Sequence, residues 1–208
     1  MWAQAGGALT VPLQLLQLTR GRIQLPNDTE ALYLEIGTNS FDTYDQKLLP
    51  KQPKAFLLSF EPLLDKWATL LARNSRSRQF SRLGYHHQRG IALPFAVSDH
   101  DGFADFHISP RDGCSSLRPA HTPEYGNWKY RSMILNACAK TVELRRVPCV
   151  SLRTVIHDWL GGHPVSRIKI DAQAHDLEIV RAAGMDTLQL VEEISMEGHM
   201  YDSVHVAQ

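Results

Sequence analysis

Short apolar runs, each closed by a turn residue or an acid, alternate along this chain with segments whose apolar positions recur at helical spacing. In the first run, Leu32, Tyr33, Leu34 and Ile36 crowd aromatic and aliphatic side chains together and stop at Gly37-Thr38-Asn39-Ser40, the pattern of a short buried strand. A second run, Ala55 to Phe60, ends in Glu61-Pro62. Between them a short helix is predicted from about Asp42 to Leu49, stopped by Pro50 and Pro53. After Pro62, Leu63, Trp67, Leu70 and Leu71 share one face of an amphipathic helix, with Arg73 near its C-terminus, where a cation suits the helix dipole. The third run, Gly90 to Asp99, brings Val97-Ser98-Asp99 beside the ends of the first two strands. His100-Asp101-Gly102 then turns into Phe103 to Ile108, whose alternation marks a half-exposed strand and predicts a hairpin after the third strand.

Further along, Thr141 to Ser151 is extended, and Leu152 to Leu160 is a helix burying Leu152, Val155, Ile156 and Trp159 and ended by Gly161-Gly162. Arg167 to Asp171 is a short strand closing on a carboxylate, followed by a helix over Asp176 to Ala183. Thr187 to Met196 has the pattern of a fifth parallel strand, ending in the acids Glu192 and Glu193. Strands alternating with helices predict an α/β fold, a mostly parallel sheet with helices on both faces. Ahead of the first strand, Gly6 to Leu18 places Leu13, Leu15 and Leu16 on one side of a helical wheel, and Pro26 to Thr29 is a turn cluster. Residues 1–30 are therefore expected to form an N-terminal helical segment packed on the sheet edge, and residues 31–208 the main domain.

Composition narrows the function. A chain of 208 residues with a formal net charge of zero suits one domain with a substantial core and argues against a protein held by nucleic acid, whose binders carry a basic excess. The one basic segment, Arg73 to Arg89, with five arginines and the pair His86-His87, is either a solvated connection or a site for an anionic group. Cys114, Cys138 and Cys149 are scattered, without a C-x-x-C pair, so neither a disulfide framework nor a structural metal is expected and a cytoplasmic location is favoured over secretion. Gly6 to Leu18 lacks a basic leader and is too short to span a bilayer.

The candidate chemistry sits where the runs end. A glycine at the carboxyl end of the first strand lets a ligand approach the backbone, and Glu61 follows it at about the 20-residue separation at which a βαβ unit brings an acid to a ribose diol. The three-glycine dinucleotide fingerprint is absent, since Ser40-Phe41 stands where a second glycine belongs. The long segment Ser109 to Asn136 is expected to be a lid or binding loop, with Trp128 and Tyr130 either covering a ligand or packing the loop's own small core.

Glu35-x-Gly37-x-Asn39, Phe60-Glu61-Pro62, Ala96-Val97-Ser98-Asp99-x-x-Gly102, Ser115-Ser116-Leu117, and Lys169-Ile170-Asp171 before Asp176-Leu177-Glu178 occur in an order that resembles the FkbM-type family of class I S-adenosylmethionine-dependent methyltransferases. The resemblance covers roughly Leu32 to Glu193 and implies a Rossmann-like class I methyltransferase fold. It implies that Glu35, Gly37 and Asn39 hold the methionyl end of S-adenosyl-L-methionine, that Glu61 accepts hydrogen bonds from its ribose, and that Val97 and Ser98 border its adenine. Asp171 faces the transferring methyl in this reading. Two departures stand out, Ser40-Phe41 in the glycine loop and Gln173-Ala174 where the family often has Glu-Gly.

The implied activity is O-methylation of a small hydroxylated or sugar-containing acceptor, with Asp171, His175 and, less well placed, Glu192 as candidate bases. His175, at the start of a helix, also fits a plain surface residue. A non-catalytic cofactor-binding or interaction module and a nucleotide-dependent oxidoreductase are the competing readings. Because only His199 to Gln208 follows the last strand's stop, a shortened form lacking a complete C-terminal hairpin, with a possible homo-oligomer covering the edge, is expected as well.

Overall fold

The structure is a computed structural model that describes residues 18–40, 43–75, 89–119 and 138–196. Its centre is the first apolar run. Strand β3 (Ala31–Ile36) lies between β4 (Ala55–Phe60) and β9 (Arg167–Ile170), and β5 (Gly90–Leu93) and β10 (Ile194–Met196) extend the sheet to the order β10-β9-β3-β4-β5, parallel throughout. Both faces are covered, which is why β4 is buried along its whole length and its sequence is almost continuously apolar. On one face the sheet residues Leu32, Leu34, Ile36, Phe60 and Ile168 pack with Ile156 and with Ile179 of α3 (Asp176–Ala183). On the other, Tyr33 and Leu57 pack with Tyr44 of α1 (Thr43–Lys47).

Register decides where the strands stop. Ile36 is paired with both Phe60 and Ile170, and Phe60 with Leu93, so the residues that follow leave the sheet at one edge. The ladder runs one step further: the Gly37, Glu61 and Asp171 amides donate to the carbonyls of Phe60, Leu93 and Ile36, each at 3.0 Å. Helix α2 (Leu64–Ser75) follows Glu61-Pro62 and docks through buried Leu63 and Leu70 and through the Trp67 indole N–H, which donates to the Ala92 carbonyl at 2.8 Å.

Several expectations are corrected. The third run is two strands, because Pro94 and Phe95 interrupt it: β5 stays in the main sheet, and β6 (Ala96–Ser98) pairs in parallel with β8 (Glu143–Ser151). Strand β7 (Gly102–Ile108) pairs antiparallel with β8, which separates it from β6, so the adjacent hairpin is replaced by a longer-range pairing. The fifth strand is shorter and later than expected. Gly184, at φ 79°, ends α3; Met185–Leu188 form α4, buried Thr187 pins it, and only Ile194 to Met196 align with Ile168 to Ile170. The helix after β8 is a π-helical turn, Thr154–Trp159, in which the Leu160 amide reaches back to the Val155 carbonyl.

Of residues 1–30, the described part carries a small antiparallel hairpin, β1 (Leu18–Thr19) and β2 (Arg22–Ile23). Its turn residues Arg20 and Gly21 both have positive φ. Cys114 and Cys138 form a disulfide, against the expectation drawn from their scatter. Their distance along the chain is no guide to distance in space, because the Ile108–Glu143 pairing brings the two ends of the intervening segment together. The proposed N-terminal amphipathic helix, Trp128, Tyr130, the His86-His87 pair and the chain end after Met196 lie outside the described residues. No helix among the described residues is long and apolar enough to cross a membrane.

Candidate functional site

At the carboxyl edge of the sheet, four strand ends surround a cleft that encloses about 660 Å³, part of it open to solvent. One wall is the turn after β3, where Gly37 and Asn39 both have positive φ, 77° and 54°. The Asn39 side-chain oxygen accepts the Ser40 amide at 2.7 Å, which stabilises the left-handed backbone that asparagine tolerates better than most residues. Gly37 has a stricter reason: a β-carbon there would lie 1.9 Å from the Asp171 carbonyl oxygen. The two loops touch backbone to backbone.

Glu61 forms the next wall. It is 5% exposed, lines the cleft, and accepts the Leu63 amide at 3.0 Å. Burial pushes its carboxyl up to about 7, against the pull of hydrogen bonds from the Leu63 and Asn39 amides. Such a group has lost its water and retains acceptor capacity for a ligand's hydroxyls. Lys66, in the first turn of α2, lines the same cleft.

The apolar lining comes from Phe95, Val97, Phe106 and Leu117. Phe95 is held edge-on by Trp159, with ring centres 5.5 Å apart, and Phe106 packs with Ala96 and Val147. Ser115 and Leu117 reach the cleft because the segment after β7 folds back. His107 and Ser116 exchange backbone hydrogen bonds, and the Ser116 hydroxyl donates to the Ala172 carbonyl at 3.1 Å.

The floor is the turn after β9. Asp171, Ala172 and Gln173 line it, and the Gln173 amide nitrogen donates to Asp171 Oδ1 at 2.6 Å. Gln173 and Ala174 are both left-handed, φ 51° and 71°, conformations that cost a side-chain-bearing residue energy and persist only where surroundings enforce them. Part of the enforcement comes from Asp176, whose carboxylate accepts the Ala172 amide at 3.2 Å.

Of the residues anticipated from sequence, Gly37, Asn39, Glu61, Val97 and Asp171 meet in this cleft. Glu35, Ser98 and His175 are buried behind its walls. Glu35 is fully buried, and its carboxylate accepts the Thr43 and Tyr44 amides at 2.8 and 2.7 Å and the Lys169 ammonium at 3.1 Å. The Ser98 hydroxyl donates to Asp99 Oδ1 at 2.9 Å and lies 3.4 Å from His175 Nε2. His175 Nδ1 is buried without a hydrogen-bond partner, and desolvation holds the imidazole below its usual protonation range. Glu192 is at the wrong end of the sheet. It precedes β10, and the neighbouring Glu193 pairs with Arg167, the first residue of β9.

Sequence reasoning missed Lys66, Phe95 and Phe106 as cleft residues. Lys66 was findable, being one turn after the acid at the tip of β4. Phe95 was hidden inside an apolar run read as continuous strand, and Phe106 by a pairing partner some 40 residues away in sequence.

The Methyltransferase FkbM domain family model matches residues 35–203, most of the chain, and the protein belongs to that family. No curated protein and no solved structure matches it.

Proposed function

We propose that this FkbM-family methyltransferase uses S-adenosyl-L-methionine to methylate a hydroxyl oxygen of a small, hydroxylated or sugar-containing acceptor. One observation carries the reading: Glu61, a desolvated carboxyl at the tip of the second strand, lines one cleft together with the apolar side chains of Phe95, Val97, Phe106 and Leu117. This donor set fits the cofactor. A carboxylate with unused acceptor capacity suits a ribose diol and disfavours a phosphorylated one, and Phe95 and Val97 offer flat apolar surface to a purine. The turn carrying Gly37 and Asn39 offers backbone to the methionyl end, while Glu35 and Ser98 act from behind the walls.

When bound, the cofactor supplies a methyl group on a sulfonium, ready for in-line displacement. The protein's share is to place the acceptor oxygen, exclude water and take its proton; positioning alone is worth about 7–11 kcal/mol in favourable cases. Asp171 is the base in this reading, because it lines the cleft and its carboxylate is oriented by Gln173. His175, the other sequence candidate, supports the floor from beneath through Ser98 and the start of α3.

Calorimetric titration with S-adenosyl-L-methionine and with NADH tests the cofactor, with binding of the first and not the second expected. Screening hydroxylated sugars with labelled cofactor tests the acceptor class, and Asp171→Asn is expected to bind cofactor normally while losing transfer. Tight NADH binding without S-adenosyl-L-methionine binding would overturn the reading.

A further inference from the structure

Lys169 and Glu35 are direct neighbours across the β9–β3 pair, and alternation puts both on the face covered by α1. The lysine lines no part of the cleft, and its side chain is about one quarter exposed. Its ammonium lies 3.1 Å from a carboxylate wholly removed from water. Burying a carboxyl group without partners is costly, and Lys169 is the cation the structure places against this one. The carboxyl group is put to use. Both oxygens of Glu35 hold α1, one taking the Thr43 amide and the other the Tyr44 amide.

The geometry of this clamp matters for the cleft. The chain leaves the sheet at Gly37, immediately after Glu35-Ile36, and is caught again at Thr43 and Tyr44 by the same carboxylate. The turn bearing Gly37 and Asn39 is thus fastened on both sides to one side chain. Tyr44, packed edge-on against Tyr33 with ring centres 5.8 Å apart, adds an apolar anchor beside the polar one. Lys169 also stands two residues before Asp171 on β9, so one ion pair ties the strand that delivers the cleft floor to the turn that forms its wall.

We propose that Lys169 is a positioning residue for cofactor binding, acting through Glu35 to hold the Gly37–Asn39 turn in its open, cofactor-accepting shape. The inference rests on the reading of the cleft as an S-adenosyl-L-methionine site. A lysine that merely stabilised the sheet would lower global stability without singling out this turn.

The full chain, free of cofactor, is compared by residue-resolved amide hydrogen exchange as wild type, Lys169→Met, Lys169→Gln, Lys169→Arg and Glu35→Gln, and each is titrated calorimetrically with S-adenosyl-L-methionine. In Lys169→Met, exchange at Thr43 and Tyr44 is expected to quicken by roughly 10–100-fold, the loss expected of a charge-assisted hydrogen bond, with cofactor affinity falling by a similar factor. Amides within β4 are expected to keep their protection. Lys169→Arg restores both readouts, and Glu35→Gln, which removes the charge with little change in size, reproduces the methionine variant. Unchanged exchange at Thr43 and Tyr44 in Lys169→Met, or in Lys169→Gln should the methionine variant fold poorly, or loosening spread evenly over the sheet, overturns the role of Lys169 even if the wild type binds cofactor normally. A wild type that binds no S-adenosyl-L-methionine overturns the reading of the cleft, and this proposal with it.

Discussion

The backbone of Asp171 occupies the space that a side chain on Gly37 would need: its carbonyl oxygen lies 1.9 Å from the position of a β-carbon there. The glycine of the first turn therefore serves the contact between two strand ends as much as any approach to a ligand. Because Gly37 also has φ 77°, the substitution meets a steric and a conformational barrier together.

Gly37→Ala is accordingly expected to destabilise the protein by roughly 3–5 kcal/mol, the sum of overpacking and backbone strain. Urea unfolding checks it. A loss below about 1 kcal/mol would mean that the Asp171 turn moves aside easily.

Glu61 makes stability and binding respond to pH in opposite senses. Unfolded, its carboxyl titrates near 4.5, and burial raises that to about 7 in the folded protein. The folded state therefore holds the extra proton between these values, so this group's contribution is fully present below about 4.5 and is lost as pH rises through about 7. The change is on the order of 3 kcal/mol. Cofactor hydroxyls need the ionised form, so affinity for S-adenosyl-L-methionine is expected to rise from about pH 6 to about pH 8. Glu61→Gln should flatten both curves and weaken binding by roughly 1.5–3 kcal/mol. Unfolding and calorimetry across this range and down to about pH 5 test the pair of slopes.

His175 contributes with the opposite sign to stability. Desolvation depresses its protonation in the folded state from the ordinary 6.5, so its contribution is present above 6.5 and is lost as pH falls through the folded value. His175→Leu, which keeps an apolar filling and cannot charge, is expected to remove this acid-side loss. Comparing unfolding midpoints of wild type and variant at about pH 5 and about pH 7.5 isolates the effect from that of Glu61. A difference between the two proteins that is constant with pH would contradict it.

Reduction of the Cys114–Cys138 bond should cost about 3–4 kcal/mol of stability, the loop-closure estimate for a link across 24 residues. Thermal melts with and without reductant, with Cys114→Ser as a control insensitive to reductant, measure it.

Much of the central sheet was legible because a strand buried on both faces needs a nearly unbroken apolar run, and Leu32 to Ile36 and Ala55 to Phe60 have one. Helix α3 was legible in the same way, its apolar positions falling at helical spacing between Asp176 and Gly184. The tips of those strands announced Gly37, Glu61 and Asp171 by residue type, since only a glycine or an acid there breaks the pattern. Thr187 to Val191 misled because alternating leucines satisfy a short helix beside a buried threonine as well as they satisfy a strand.

What the sequence determined by itself was local: which runs enter the sheet, where they stop, and which chemically distinctive residues stand at the stops. Tertiary structure alone decided which of those residues share a cleft. Glu35 sits two residues before Gly37 yet does not line the cleft, because its carboxylate is taken by the Thr43 and Tyr44 amides and by Lys169. Phe106 reaches the cleft because β8, arriving from about 40 residues away, holds β7 in place. Spacing along a chain reports the first kind of fact; long-range strand pairing, which no local window contains, decides the second.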